Sequence, residues 1–314
     1  MKVLMKGFFK LIRYPNLIII VLSQYLFRYF ILLPLIKEEH IEPVFSHLNF
    51  ALLVLSTVLI AAAGYAINDY FDIRTDRINR PHKIVVGRLI SRRKAMLIHV
   101  AFNIIAVLIG IYLSYKVHSY RLASIHIVIS VLLWLYSLKY KAYFLVGNLI
   151  VAFVSALTIL IVWIFELYAL KTIGQIPITQ MYLLNFFLWA YVSYAFITSL
   201  IREIIKDIED LEGDKKIGCS TLPVVMGINR TKYVLLFLCL ITIVSLGYVA
   251  YSSQTKQLTL IFWYVILMLI IPFIYMMYLI LKAKNKPDYN FLSNITKFIM
   301  IAGVASMALI FPLF

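Results

Sequence analysis

The chain has 314 residues, 63% hydrophobic and 14% charged, with a formal net charge of +16. Together with a mean hydropathy of +0.93, this excludes a soluble globular domain and points to an integral membrane protein. The positive charge does not mark a nucleic-acid binder, because Lys and Arg in a membrane protein collect in its cytoplasmic loops.

Apolar runs long enough to cross ~30 Å of hydrocarbon recur along the whole chain. They predict spans over 17–36, 48–67, 95–113, 121–138, 144–165, 181–201, 233–251, 258–281 and 295–313. The N-terminus is basic and then apolar, with no small-residue cleavage site, and reads as a first span rather than a removed signal peptide. Of the 30 Lys and Arg, 24 fall in 1–16, 68–94, 139–143, 202–232 and 282–297. The alternate segments hold only Lys37, Lys116, Arg121, Lys171 and Lys256. This asymmetry predicts a multi-pass cell-membrane protein with a cytoplasmic N-terminus and an outside C-terminus. Arg28 lies within the first span, where it is expected to pair with a neighbouring helix, snorkel or serve a function. The six His show no metal-ligand spacing, and Cys219 and Cys239 form no disulfide framework. Most of the 21 Phe, 22 Tyr and 4 Trp are expected at the lipid face and interfaces, with a minority lining a cavity.

The acidic residues are far less evenly spread. Of seven Asp, Asp69, Asp72 and Asp76 form one stretch, Asp207, Asp210 and Asp214 another, and only Asp288 lies elsewhere. Both triples have the spacing i, i+3, i+7, which on a helix lines one face. Each follows the end of a predicted span, four spans separate them, and both fall in the large cytoplasmic segments. Small residues, Ala61 to Gly64, precede the first stretch and favour close helix approach. The repetition suggests an approximate internal duplication whose halves face a central cavity. Six carboxylates brought together repel one another unless cations are present. Mg²⁺ suits an all-oxygen site and shares its ligands with substrate phosphates. Arg74, Arg77, Arg80, Lys83, Arg88, Arg202, Lys206 and Lys215 could rim a receptacle for a diphosphate, above an apolar cavity for the rest of an amphiphilic substrate. A different class of protein, a divalent-cation transporter, would need carboxylates near the bilayer midplane, and none falls within the predicted spans.

These residues also carry a family resemblance. Asn68-Asp69-Tyr70-Phe71-Asp72-Ile73-Arg74-Thr75-Asp76, continuing into Asn79-Arg80-Pro81, resembles the first motif (NDxxDxxxD) of the UbiA-type intramembrane prenyltransferases. Asp207-Ile208-Glu209-Asp210-Leu211-Glu212-Gly213-Asp214, with Gly218 and Thr221-Leu222-Pro223, resembles their second. Tyr136-Ser137-Leu138-Lys139, Gly147-Asn148 and Tyr14-Pro15-Asn16 are similar to further family elements. The resemblance implies an all-α fold, nine transmembrane helices around a central lipid-open cavity with a cytoplasmic polar cap, as a single membrane domain over 1–314. It implies Mg²⁺-dependent transfer of a prenyl group from an isoprenoid diphosphate to a lipophilic acceptor through an allylic carbocation. Asn68, Asp72 and Asp76, with Asp69 nearby, would hold one Mg²⁺, and Asp207, Asp210 and Asp214 a second. Tyr136, Lys139, Arg80, Arg202 and Lys206 would contact the diphosphate. The run Arg202–Asp214 is most similar to the branch that alkylates geranylgeranylglyceryl phosphate, an ether-lipid precursor; an aromatic acceptor of the quinone-precursor type is the alternative.

Overall fold

The computed structural model describes residues 2–255 and 257–310. Lys256, the last four residues and the side chains of residues 2–4 and 83 lie outside the described residues, and with them the expectations placed on Lys83, on Lys256 and on the C-terminal end of the last span.

Among the described residues nine helices are long and apolar enough to cross a membrane: Tyr14–Glu38, His47–Phe71, Arg92–Lys116, Tyr120–Leu138, Val146–Thr172, Met181–Glu209, Ile228–Thr255, Thr259–Lys282 and Lys286–Leu309. They are numbered one to nine below. No β-strand occurs among the described residues. Each hydropathy-predicted span has its helix, but several helices run further than hydropathy alone shows. The ninth starts at Lys286 rather than near 295, because its first three turns carry polar side chains. Its start is fixed by Asp288, whose Oδ2 accepts from the Lys284 and Asn285 amides at 2.8 and 3.0 Å. The one Asp outside the two motifs is thus a helix-capping residue. Ser46 and Ser91 cap the second and third spans, accepting from the Asn49 and Lys94 amides.

Two spans contain a π-helical segment, Arg28–Leu32 and Val265–Ile270. Each ends two residues before a proline, Pro34 and Pro272. A proline lacks the amide that would bond four residues back, and its ring crowds that carbonyl, so the wider turn absorbs the misfit.

The chain forms two compact units: Met1–Lys141 with Thr158–Leu184, and Ala142–Leu157 with Asn185–Phe314. In the first, the second span packs through small residues, as its sequence suggests: Ala62, Ala63 and Ala66 are buried. His99 lies 3.0 Å from the Ala63 carbonyl, and a Cβ on Gly64 would come to 3.0 Å from Leu133. In the second, Ile201, Ile204, Ile205, Leu235, Phe273, Met276, Leu292 and Ile299 form the core. Outward positions are mostly apolar, Leu97, Leu108, Phe237 and Trp263 among them, as lipid contact requires.

Arg28 resolves as a packed ion pair. Its Nε lies 3.0 Å from Glu166 Oε2, both side chains are fully buried, and the guanidinium also donates to the Phe45 carbonyl and lies 4.6 Å over the Phe50 ring. Pairing with a neighbouring helix is the role found. This corrects the expectation that no carboxylate lies within a span. Hydropathy ended the fifth span at 165, one residue short of Glu166, whereas the helix continues to Thr172. A carboxylate locked to a guanidinium in this way is a structural pair and offers no path for ions.

Candidate active site

The two acidic motifs share one local architecture. The second span ends at Phe71, Asp72 takes φ −80° and ψ 1°, and a seven-residue helix, Ile73–Asn79, follows. The sixth span ends at Glu209, Asp210 takes φ −99° and ψ 6°, and a seven-residue helix, Leu211–Ile217, follows. Neither triple therefore lies along one unbroken helix, as its spacing alone would have it; the middle Asp of each is the joint. The joint is mild. Asp72 and Asp76 still donate their amides to the carbonyls four residues back, at 2.9 and 2.8 Å, as do Asp210 and Asp214 at 2.9 and 3.1 Å. Successive carboxylates thus stay about one turn apart while the chain bends. The parallel supports the repeat suggested by the sequence, one acidic joint in each unit.

In the first unit the carboxylates are held by cations from elsewhere in the chain. Arg13 Nη2 lies 2.8 Å from Asp69 Oδ1, with its guanidinium 4.9 Å over the Tyr65 ring. Lys141 forms an ion pair with Asp72, whose other oxygen accepts from Asn68 Nδ2 at 2.6 Å. Asp76 is pushed up to about 6, first by burial and then by the charges of Asp72 and Asp69, with Arg80 opposing. Asn68 Oδ1 is buried and has no hydrogen-bond partner among the described residues.

In the second unit Asn148 Nδ2 donates to Asp207 Oδ2 at 2.7 Å, and Thr221 Oγ1 donates to Asp214 Oδ2 at 3.2 Å. Gly218, at φ +77°, ends the short helix in the left-handed conformation open to glycine. That turn brings the Cys219 amide to the Asp214 carbonyl and the Ser220 amide to Ala142. Arg202 and Lys206 both reach Glu203, at 3.2 and 2.5 Å.

Among the described residues no three His, Cys, Asp or Glu side chains converge tightly enough to hold a metal ion unaided. The donors nevertheless fit Mg²⁺: every acidic ligand is oxygen, and the orphaned Asn68 Oδ1 is a buried acceptor beside Asp72 that a cation would satisfy. Mg²⁺ also takes part of its shell from water and phosphate rather than from the protein.

Sequence reasoning brought out both motifs but not their partners. Arg13 and Lys141 carried no role beyond loop charge, and Asn148 and Thr221 stood only as motif neighbours. Lys141 was legible in part, being one of only two cations in 139–143. Lys139 caps the exposed end of the fourth span and Tyr136 lies half-buried one turn before it. Arg80 is half-buried near Asp76, whereas Arg74, Arg77, Arg88 and Lys215 are exposed.

The UbiA prenyltransferase family model matches residues 40–301. A digeranylgeranylglyceryl phosphate synthase of Methanocaldococcus jannaschii is 32% identical over 264 residues, 80% of this chain and 83% of its own length. The enzyme of the same name from Thermococcus sibiricus is 30% identical over 207 residues, 66% of this chain and 65% of its own, so that alignment spans a little under two thirds of the relative. A UbiA homolog from Archaeoglobus fulgidus, solved with GPP and Mg²⁺ bound, shares the fold with a TM-score of 0.61 at 18% identity, over 96% of this chain and 99% of that one. With nine apolar helices among the described residues and a family match over most of its length, this chain belongs to the UbiA prenyltransferase family.

Proposed function

We propose that the chain transfers a geranylgeranyl group from its diphosphate to geranylgeranylglyceryl phosphate, releasing diphosphate and forming a second ether-linked chain. The observation that carries this reading is the pair of acidic helix joints, one per unit, in a member of this family. Relatives that bear the digeranylgeranylglyceryl phosphate synthase name, at 28% to 36% identity, support the acceptor. The chain would act as one catalytic domain, with the N-terminus and both motifs on the cytoplasmic side.

Asn68, Asp72 and Asp76, with Asp69 beside them, would hold one Mg²⁺, and Asp207, Asp210 and Asp214 a second. When bound, Mg²⁺ supplies positive charge that offsets the negative charge growing on the leaving diphosphate. The protein's own contributions are distinct from this. Arg80, Tyr136, Lys139, Arg202 and Lys206 would bind diphosphate oxygens and fix the donor's orientation. Asn148 and Thr221 hold the Asp207 and Asp214 side chains in place through the contacts above. Apolar walls would keep water from the allylic carbocation, so that the acceptor hydroxyl captures C1 instead.

The test is transfer by the full chain in lipid nanodiscs, with geranylgeranyl diphosphate, Mg²⁺ and a panel of acceptors, products identified by mass spectrometry. The expected product is digeranylgeranylglyceryl phosphate. Asp72→Ala and Asp210→Ala should each lower turnover ~10²–10³-fold, on the scale of losing an electrostatic catalytic element, while the protein stays folded. Near-normal turnover in either variant would overturn the assignment, and prenylation of an aromatic acceptor alone would overturn the acceptor.

A further inference from the structure

In the second unit the sixth and ninth spans run antiparallel, with their register fixed at several points. Tyr191 and Ser306 hydroxyls lie 2.9 Å apart, Tyr194 donates to the Ile299 carbonyl at 2.9 Å, and Asn290 Nδ2 donates to Glu209 Oε1 at 3.1 Å. The contact at Gly303 is so close that a Cβ there would sit 2.1 Å from the Tyr194 ring. Seven residues make two helical turns, about 10.5 Å of rise. Two turns inward from Glu209 stands Arg202, and two turns inward from Asn290 stands Lys297. Two cations thus meet at one level on adjoining helices, close enough for each to feel the other's charge.

Such a pairing is costly inside a membrane span unless something negative lies between. Lys297 is half-buried and makes no hydrogen bond or ion pair among the described residues. Arg202 has Glu203 on one side, but its Nε is buried without a partner. Ser199, one turn away on the same helix and 3% exposed, has a hydroxyl oxygen that is also buried without a partner. Lys297 alone could snorkel toward the interface. The Arg202 Nε and the Ser199 hydroxyl cannot, because neither reaches water. An unpaired ammonium, a guanidinium whose Nε is unpaired and an unpaired hydroxyl together make a donor set suited to a phosphoryl group: a point charge, a planar fork and a neutral donor.

We infer that Arg202, Lys297 and Ser199 form an anion seat that takes the phosphoryl oxygens of a membrane-embedded phosphate ester. At about two turns below the end of the sixth span, the ligand must bring a hydrocarbon tail with it. The identity of that ester as the phosphorylated acceptor rests on the function proposed above; the seat itself does not. The donor's diphosphate offers the same chemistry, and the experiment separates the two.

The full chain in nanodiscs with EDTA, so that bound Mg²⁺ contributes nothing, is titrated with geranylgeranylglyceryl phosphate, its unphosphorylated alcohol and geranylgeranyl diphosphate. The wild type is expected to bind the phosphate ester at least tenfold more tightly than the alcohol. Lys297→Met, matched in length and compatible with a membrane helix, should erase that preference, and Lys297→Arg should keep most of it. Lys297→Gln repeats the test should the Met variant fold poorly. Selective weakening of the phosphate ester assigns the seat to the acceptor; selective weakening of the diphosphate keeps the seat and assigns it to the donor. Equal binding of both phosphorylated lipids by wild type and Lys297→Met would overturn the seat. Because binding is read without turnover, a chain that transfers no prenyl group would sink the catalytic proposal and leave this one to stand or fall on its own.

Discussion

Asp76 is the carboxylate whose environment makes the clearest demand on solution conditions. Burial, and then Asp72 and Asp69, push it up to about 6 from an ordinary 3.8. A raised carboxyl binds more protons folded than unfolded between those values. Asp76 therefore contributes a loss of stability to the metal-free protein as pH rises from ~4 to ~6 and no further loss above that. A ligand cation must displace the same proton, so Mg²⁺ affinity through Asp76 should fall by up to about tenfold per unit below pH 6. The increase in melting temperature on adding Mg²⁺ should accordingly be larger at pH 7.5 than at pH 5, and an equal increase at both would remove Asp76 from the metal ligands. At this scale the sequence showed which residues matter where chemistry concentrates a rare type, as it does with six of seven Asp in two stretches. It did not show Arg13, Lys141 or Asn148 as partners, because each reaches its carboxylate across at least 56 positions, and no local pattern encodes that.

Between helices, two contacts carry measurable consequences. Arg28 and Glu166 are each fully buried and answer each other, so Arg28→Met leaves a carboxylate and the Phe45 carbonyl without their donor. Such a loss costs about 3–5 kcal/mol, whereas replacing both charges by apolar groups can be near neutral. Thermal unfolding in detergent should show Arg28→Met strongly destabilised and Arg28→Met with Glu166→Met largely restored; a double variant as unstable as the single would refute the pairing as the reason. Gly303→Ala tests the other contact. Its methyl would drive into the Tyr194 ring, and overpacking of this kind costs about 1–3 kcal/mol, which trimming Tyr194→Leu in the same chain should relieve. Helix existence was legible from apolar runs at every span, because lipid demands them. Helix ends were not: Lys286 to Asn294 carry enough polar groups to hide three helical turns, and Glu166 fell one residue past an edge set by hydropathy. The joints at Asp72 and Asp210 were equally hidden, since i, i+3, i+7 spacing is the same on a straight helix and a bent one.

For the molecule as a whole, the distribution of charge argues for one orientation. Polar segments that alternate along nine spans hold 24 Lys and Arg on one set and 5 on the other. Each cation near an anionic cytoplasmic leaflet gains about 1 kcal/mol, so inverting the chain would forfeit far more than the few outside cations could return. Both acidic joints belong to the cation-rich set, and the amphiphilic donor of the proposed reaction would present its diphosphate headgroup to them from the cytoplasmic side. Two cysteine positions on either side of the sixth span test this directly. Cys219 follows that span, and Gln175 precedes it at an exposed site between the fifth and sixth spans. With Cys239→Ala to remove the buried thiol, Cys219 should react with a membrane-impermeant maleimide in inverted vesicles and not in right-side-out ones. Gln175→Cys, with both native cysteines replaced, should show the reverse. Labelling of both from one side would mean the sixth span does not cross the bilayer, and an exchanged pattern would turn the whole bundle over, carrying both acidic joints to the outside.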